Sequence, residues 1–117
     1  MNMGFDYDGV VTNAAFWKSI ESERFANSYF VVSGRTFHEE PFNGSLLTGL
    51  VQGAIRRGYG EFGDQIASGH YKAEIINKLR IQVFYDDDPK QLLVIKQSLT
   101  WPPSLYLVMP DGKTERY

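Results

Sequence analysis

Four short apolar runs punctuate the chain: Met1–Phe5, Tyr29–Val32, Ile81–Tyr85 and Leu105–Met109. The middle two, YFVV and IQVFY, are rich in β-branched and aromatic residues, which suit a pleated surface. Met1–Phe5 is interrupted by Asn2 and Gly4, and Glu61–Ala67, with Phe62 and Ile66, is a fifth and weaker strand candidate. Between the runs, apolar residues recur at helical spacing. Asn13 stands where an N-cap belongs for a helix from about Ala14 to Phe25, with Phe16, Trp17 and Ile20 on its buried face. Leu46, Leu50 and Ala54 share a face of a helix expected over Leu46–Arg57, as Ile75, Ile76 and Leu79 do over Tyr71–Leu79. Pro89 suits a first helical position, and its helix runs to about Leu99 before Trp101-Pro102-Pro103 turns the chain into a last strand. Strands alternating with helices imply a mainly parallel sheet covered on both faces, an α/β three-layer sandwich.

Composition narrows the class. With 117 residues, 43% of them hydrophobic and 15% aromatic, the chain is expected to form one domain over residues 1–117 with a real core. No repeat or linker divides it. No apolar run approaches the roughly 20 residues needed to span a bilayer. The first residues lack a basic region and carry Asp6 and Asp8 early, unlike a signal peptide. The absence of cysteine removes disulfides, thiolate metal sites and thiol nucleophiles, and fits a cytoplasmic protein. A net charge of −2 offers no basic surface, so nucleic acid is not indicated as a partner.

The chemistry stands just after the apolar runs. In Phe5-Asp6-Tyr7-Asp8-Gly9-Val10-Val11-Thr12, two aspartates sit two positions apart, so an extended chain projects both to one side. At about 5 Å and an effective dielectric near 20 their repulsion is roughly 3 kcal/mol, which asks for a cation between them. D-x-D-G also serves as ordinary turn chemistry. In open α/β sheets, however, sites form beyond the carboxyl ends of the strands. There the other runs bring Ser33-Gly34-Arg35-Thr36 and Asp86-Asp87-Asp88-Pro89, while His70-Tyr71-Lys72 brings Lys72 to the start of a helix.

These four segments, in this order, resemble the motifs of the haloacid dehalogenase-like (HAD) superfamily of phosphatases, over Met3 to about Leu93. The resemblance implies a Rossmann-like sheet and a Mg²⁺-dependent phosphomonoester hydrolase. It makes Asp6 the nucleophile that forms an aspartyl-phosphate. It gives Asp8 the protonation of the leaving group and then the deprotonation of water. Ser33 would donate to a phosphoryl oxygen and Lys72 would neutralise charge. Gly9, Gly34 and Arg35 are assigned to substrate binding. Mg²⁺ would be held by Asp6, the backbone carbonyl of Asp8, Asp87 as main acidic ligand and Asp86 as its partner. Pro89 leaves Asp88 at an N-cap position, which favours a structural role for it.

Only 25 positions separate Asp8 from Ser33, and the Ser33–Lys72 interval is also short, so neither holds a sizeable cap domain. An open site suits a bulky phosphorylated substrate, or a lid lent by another subunit of an oligomer. A receiver domain has the wrong order, since no aspartate lies between Asp8 and Asp64 and no lysine between Lys96 and Lys113. The alternative is a catalytically weak HAD-like module that binds a phospholigand or a protein partner. Gly58-Tyr59-Gly60-Glu61-Phe62-Gly63 matches G-x-G-x-x-G but is expected to be a helix C-cap and loop, because it follows the supposed helix and precedes the weak strand. His38 and His70 are expected at the surface, His70 near the site rim, and Arg56 and Arg57 as solvated helix-end charges.

Overall fold

The computed structural model describes residues 1–22, 27–47 and 51–117. Its first strand, β1 (Asn2–Phe5), lies between two parallel neighbours despite its weak pattern. Contacts explain both interrupting residues. Asn2 Nδ2 donates to the Leu79 carbonyl at 2.8 Å. A Cβ at Gly4 would stand 2.7 Å from the Phe84 ring and 2.9 Å from Ile81, so glycine lets the core close over the strand.

The other strands are β2 (Ser28–Thr36), β3 (Gly53–Gly58), β4 (Val83–Asp86), β5 (Ser104–Val108) and β6 (Thr114–Arg116). They form a six-stranded sheet in the order β3-β2-β1-β4-β5-β6, parallel except for β5 with β6. Among the described residues three α-helices complete this α/β fold: α1 (Ala14–Glu21), α2 (Gln65–Leu79) and α3 (Pro89–Ser98). Side chains alternate across the sheet. Met3, Phe5, Tyr29 and Val31 pack with Phe16, Trp17 and Ile20 of α1. Val32, Phe84 and Leu105 pack with Ile75 and Ile76 of α2 and Leu92 and Ile95 of α3. No helix among the described residues is long and apolar enough to cross a membrane.

Several expectations change. Leu46–Arg57 is no helix: Gly44–Leu46 makes one tight turn and Gly53–Gly58 is the edge strand β3, with Ile55 opposite Val32. Gly53 and Gly58 weaken a helix there, and β-branched Ile55 suits the pairing. Leu50 and Phe25, the latter the expected end of α1, lie outside the described residues. Glu61–Ala67 is no strand either. Asp64 caps α2 by accepting from the Ala67 N–H at 2.9 Å, so the helix begins before Tyr71 and Ile66 faces solvent. The glycine-rich stretch Gly58–Gly63 therefore follows a strand and precedes a helix, the reverse of the context expected. Arg56 and Arg57 belong to β3, and Arg57 is buried. The strand after Trp101-Pro102-Pro103 is followed by another, β6.

The strand order positions the site. From β1 the chain moves outward through β2 and β3, then returns to the far side of β1 for β4 and β5. The connection from β1 leads to one side and that from its neighbour β4 to the other, which opens a crevice between their carboxyl ends.

Candidate active site

Asp6 follows β1, and its N–H donates to the Tyr85 carbonyl at 2.9 Å, which holds it beside the end of β4. Asp86 ends β4 and is fully buried. Lys72, 1% exposed, reaches both: its Nζ lies 3.1 Å from Asp6 Oδ1 and 2.7 Å from Asp86 Oδ2. It sits in the middle of α2 rather than at a helix start. Two glycines permit this placement. A Cβ on Gly34 would stand 2.6 Å from the Ser68 Cβ, and one on Gly69 would stand 2.7 Å from Val94. Gly34 thus brings α2 against β2, and Gly69 brings α3 against α2.

Ser33 is buried within β2, which continues to Thr36 past an irregular register against β3 rather than ending at Val32. Its Oγ accepts from the Arg35 N–H at 3.1 Å. Asp8 and Arg35 form a two-point pair, Nε to Oδ2 at 2.9 Å and Nη2 to Oδ1 at 2.7 Å. Arg35 is held in turn by the Glu40 carbonyl at 2.5 Å and by the Tyr7 ring beneath it at 4.8 Å. Tyr7 anchors this loop, its ring stacked on Phe42 and its hydroxyl accepting from the Asn43 N–H at 2.8 Å. The two aspartates of the opening motif therefore meet two different cations, Lys72 and Arg35.

Asp86, Asp87 and Asp88 divide as their order suggests. Asp88 caps α3 by accepting from the Lys90 N–H at 2.9 Å, and Pro89 is the first helical residue. Asp6, Asp86 and Asp87 offer carboxylate oxygens that lie within 4.8 Å of one another. Gly9, at φ +78°, lies against Asp87, where any Cβ would collide with the carboxylate.

Burial governs the electrostatics here. Desolvation, reinforced by the charges of Asp86 and Asp87, holds the Asp6 carboxyl well above its ordinary range although Lys72 pulls it down. For Lys72, burial lowers the pKa, but the carboxylates of Asp6 and Asp86 outweigh it and the net shift is upward. Asp87 is exposed on one side, yet partial desolvation and the Asp86 charge push it up to about 6. Three carboxylates facing one ammonium leave negative charge uncompensated, and all the donors are hard oxygens. That donor set fits a divalent cation such as Mg²⁺.

A cleft of about 470 Å³ joins Asp6, Asp8, Ser33, Gly34, Arg35, Lys72 and Asp87. Asp86 lies beneath it, bonded to Lys72. Gly9 lines a neighbouring hollow instead, and its N–H donates to Thr12 Oγ1 at 2.9 Å. No family model, curated protein or solved structure matches the chain. The chemistry of the cleft is read from its own atoms.

Other cleft residues had no sequence signal of their own: Glu39, Phe62, Gly63, Gln65, Ser68 and Gln91. The nearest clue was the glycine-rich turn carrying Phe62 and Gly63. Gln91 donates through Nε2 to Gln65 Oε1, and its own Oε1, buried, has no partner among the described residues. His70 is exposed and pairs with Ser98 Oγ at 3.3 Å, away from the cleft lining.

Proposed function

We propose that the chain is a Mg²⁺-dependent phosphomonoester hydrolase of the HAD-like type, a three-layer α/β/α sandwich acting through an aspartyl-phosphate. One observation carries this reading: the Lys72 ammonium bonded to both Asp6 and Asp86 at the crevice where the strand order reverses. A solvated acidic face would have no reason to bury that charge.

Asp6 attacks phosphorus, and the bond to the ester oxygen breaks. The leaving oxygen takes a proton from Asp8. Lys72 steadies the negative charge and Ser33 donates to a phosphoryl oxygen. Asp8 then takes a proton from water, which attacks the phosphorus, frees Asp6 and releases phosphate. Asp6, the Asp8 carbonyl, Asp86 and Asp87 would hold Mg²⁺, which would supply charge neutralisation for an anionic nucleophile meeting an anionic ester. For either proton step Asp8 has to turn from Arg35 toward the substrate. Arg35, released, is left beside the phosphoryl group.

The Asp8–Arg35 pair also favours a second reading, a module that binds a phospholigand without turning it over. Hydrolysis of p-nitrophenyl phosphate decides between the two. The expected result is turnover with Mg²⁺, its loss in EDTA, and its loss in Asp6→Asn, whose melting curve still shows a folded chain. Turnover by Asp6→Asn at the wild-type rate would remove Asp6 as the nucleophile.

A further inference from the structure

Beyond β2 and β3 the cleft changes character. Phe62 lines it and is 71% exposed, on the turn between β3 and α2. Large apolar side chains left to water are informative when they gather beside a functional cleft. Two more exposed rings stand on the adjoining loops, Phe37 just after β2 and Tyr59 just after β3. Guanidinium groups interleave with them: Arg56 lies 5.3 Å over Phe37, and Arg57 6.0 Å over Tyr59. The same cleft holds the paired amides of Gln65 and Gln91, with the acceptor Gln91 Oε1 unpartnered among the described residues. Gln65 is exposed in that wall, so its amide can meet the polar edge of a ligand.

We infer that the phosphorylated substrate is a mononucleotide, with its base stacked on Phe62 and its polar edge against the Gln65–Gln91 amides. This rests on the reading of the cleft as a phosphate-ester site. Aromatic side chains stack on any base, and amides pair with base edges. A simple sugar phosphate has no flat face to place on Phe62. The volume, about 470 Å³, falls in the range of small-ligand sites. A longer strand would need a track of unspent cations for its phosphates. Here Arg56 and Arg57 donate to backbone carbonyls of residues 34, 39, 40 and 61, and Arg35, once Asp8 turns away, serves the single phosphoryl group.

Binding separates this inference from hydrolysis, because it needs no turnover. Calorimetry on the full chain carrying Asp6→Asn, with Mg²⁺, compares AMP with ribose 5-phosphate, which differ by the base alone. AMP is expected to bind roughly 5- to 150-fold more tightly, the range found for stacking of one base on an aromatic side chain. Adding Phe62→Ala should bring the ratio to within about threefold. Adding Trp101→Ala, an exposed ring outside the cleft lining, should leave it unchanged. Equal affinities, no binding of either compound, or a preference that survives Phe62→Ala would overturn the inference. So would phosphotyrosine binding as tightly as AMP, which would make any aryl ester sufficient, or a 5′-phosphorylated dinucleotide binding more tightly, which would make the ligand a strand end. Absence of turnover in the wild-type chain together with an intact AMP preference would sink the hydrolase reading and leave this one standing.

Discussion

Where β1 and β4 end, the charges of Asp6, Lys72 and Asp86 are buried and bonded to one another. Where β2 and β3 end, Asp8 and Arg35 pair near water, and Arg56 leans on backbone carbonyls and an aromatic ring. The first arrangement is expensive to assemble, since each charge gives up hydration, and it leaves no freedom to substitute one partner alone. The second involves little desolvation and can rearrange. On the proposed reading, the first would hold a reacting group still and the second would admit and release a substrate.

The contrast predicts a steep order of effects. Lys72→Met should be the most damaging, because it strands Asp6 and Asp86 in the interior. A loss of about 3–5 kcal/mol in denaturant unfolding is expected. A loss below about 1 kcal/mol would mean that the buried trio is not interlocked.

Asp87 stands between the two regimes, and its effect is set by pH. Its carboxyl is raised from 3.8 to about 6 in the folded chain. The folded state therefore keeps a proton that the unfolded state has lost, so this contribution is present below about pH 4 and is lost as pH rises through about 6. In EDTA, Asp87→Asn should gain melting temperature relative to the wild type across that window. With several millimolar Mg²⁺ the order should reverse, because the cation binds only the native cluster. A difference that is flat from pH 4 to 7 in EDTA would contradict the raised Asp87 carboxyl.

Arg35→Gln should be the mildest. The side chains of its pair with Asp8 are 18% and 54% exposed, and pairs of that kind contribute about 0.2–1 kcal/mol. The Michaelis constant should rise while the fold holds. A stability loss equal to that of Lys72→Met would erase the distinction between the two halves.

The same division separates what the sequence made legible from what it did not. Buried polar residues of the site announce themselves, because Asp6, Ser33 and Asp86 stand at or just beyond runs of strand-forming residues. Asp88 was also readable, since a proline at the next position fixes the local geometry of the cap. The β3 side was misread for physical reasons. Leu46, Leu50 and Ala54 keep helical spacing, but pairing with β2 decides the state of Gly53–Gly58, and an edge strand with two arginines carries little periodic signal. Ile66 suggested a strand, yet the Asp64 cap governs that segment. The Asp8–Arg35 and Gln65–Gln91 pairs join residues far apart in sequence, which no local pattern reveals.

The central claim is that Asp6 carries the phosphoryl group. Acid quench during turnover with Mg²⁺, followed by mass spectrometry of the peptides, tests it most directly. The account predicts one phosphoryl group on the peptide bearing Asp6, at Asp6 itself, and more of it in Asp8→Asn, where the water that cleaves the intermediate lacks its base. Turnover with no phosphoryl group on Asp6 in either chain, or with the group on another residue, would contradict it.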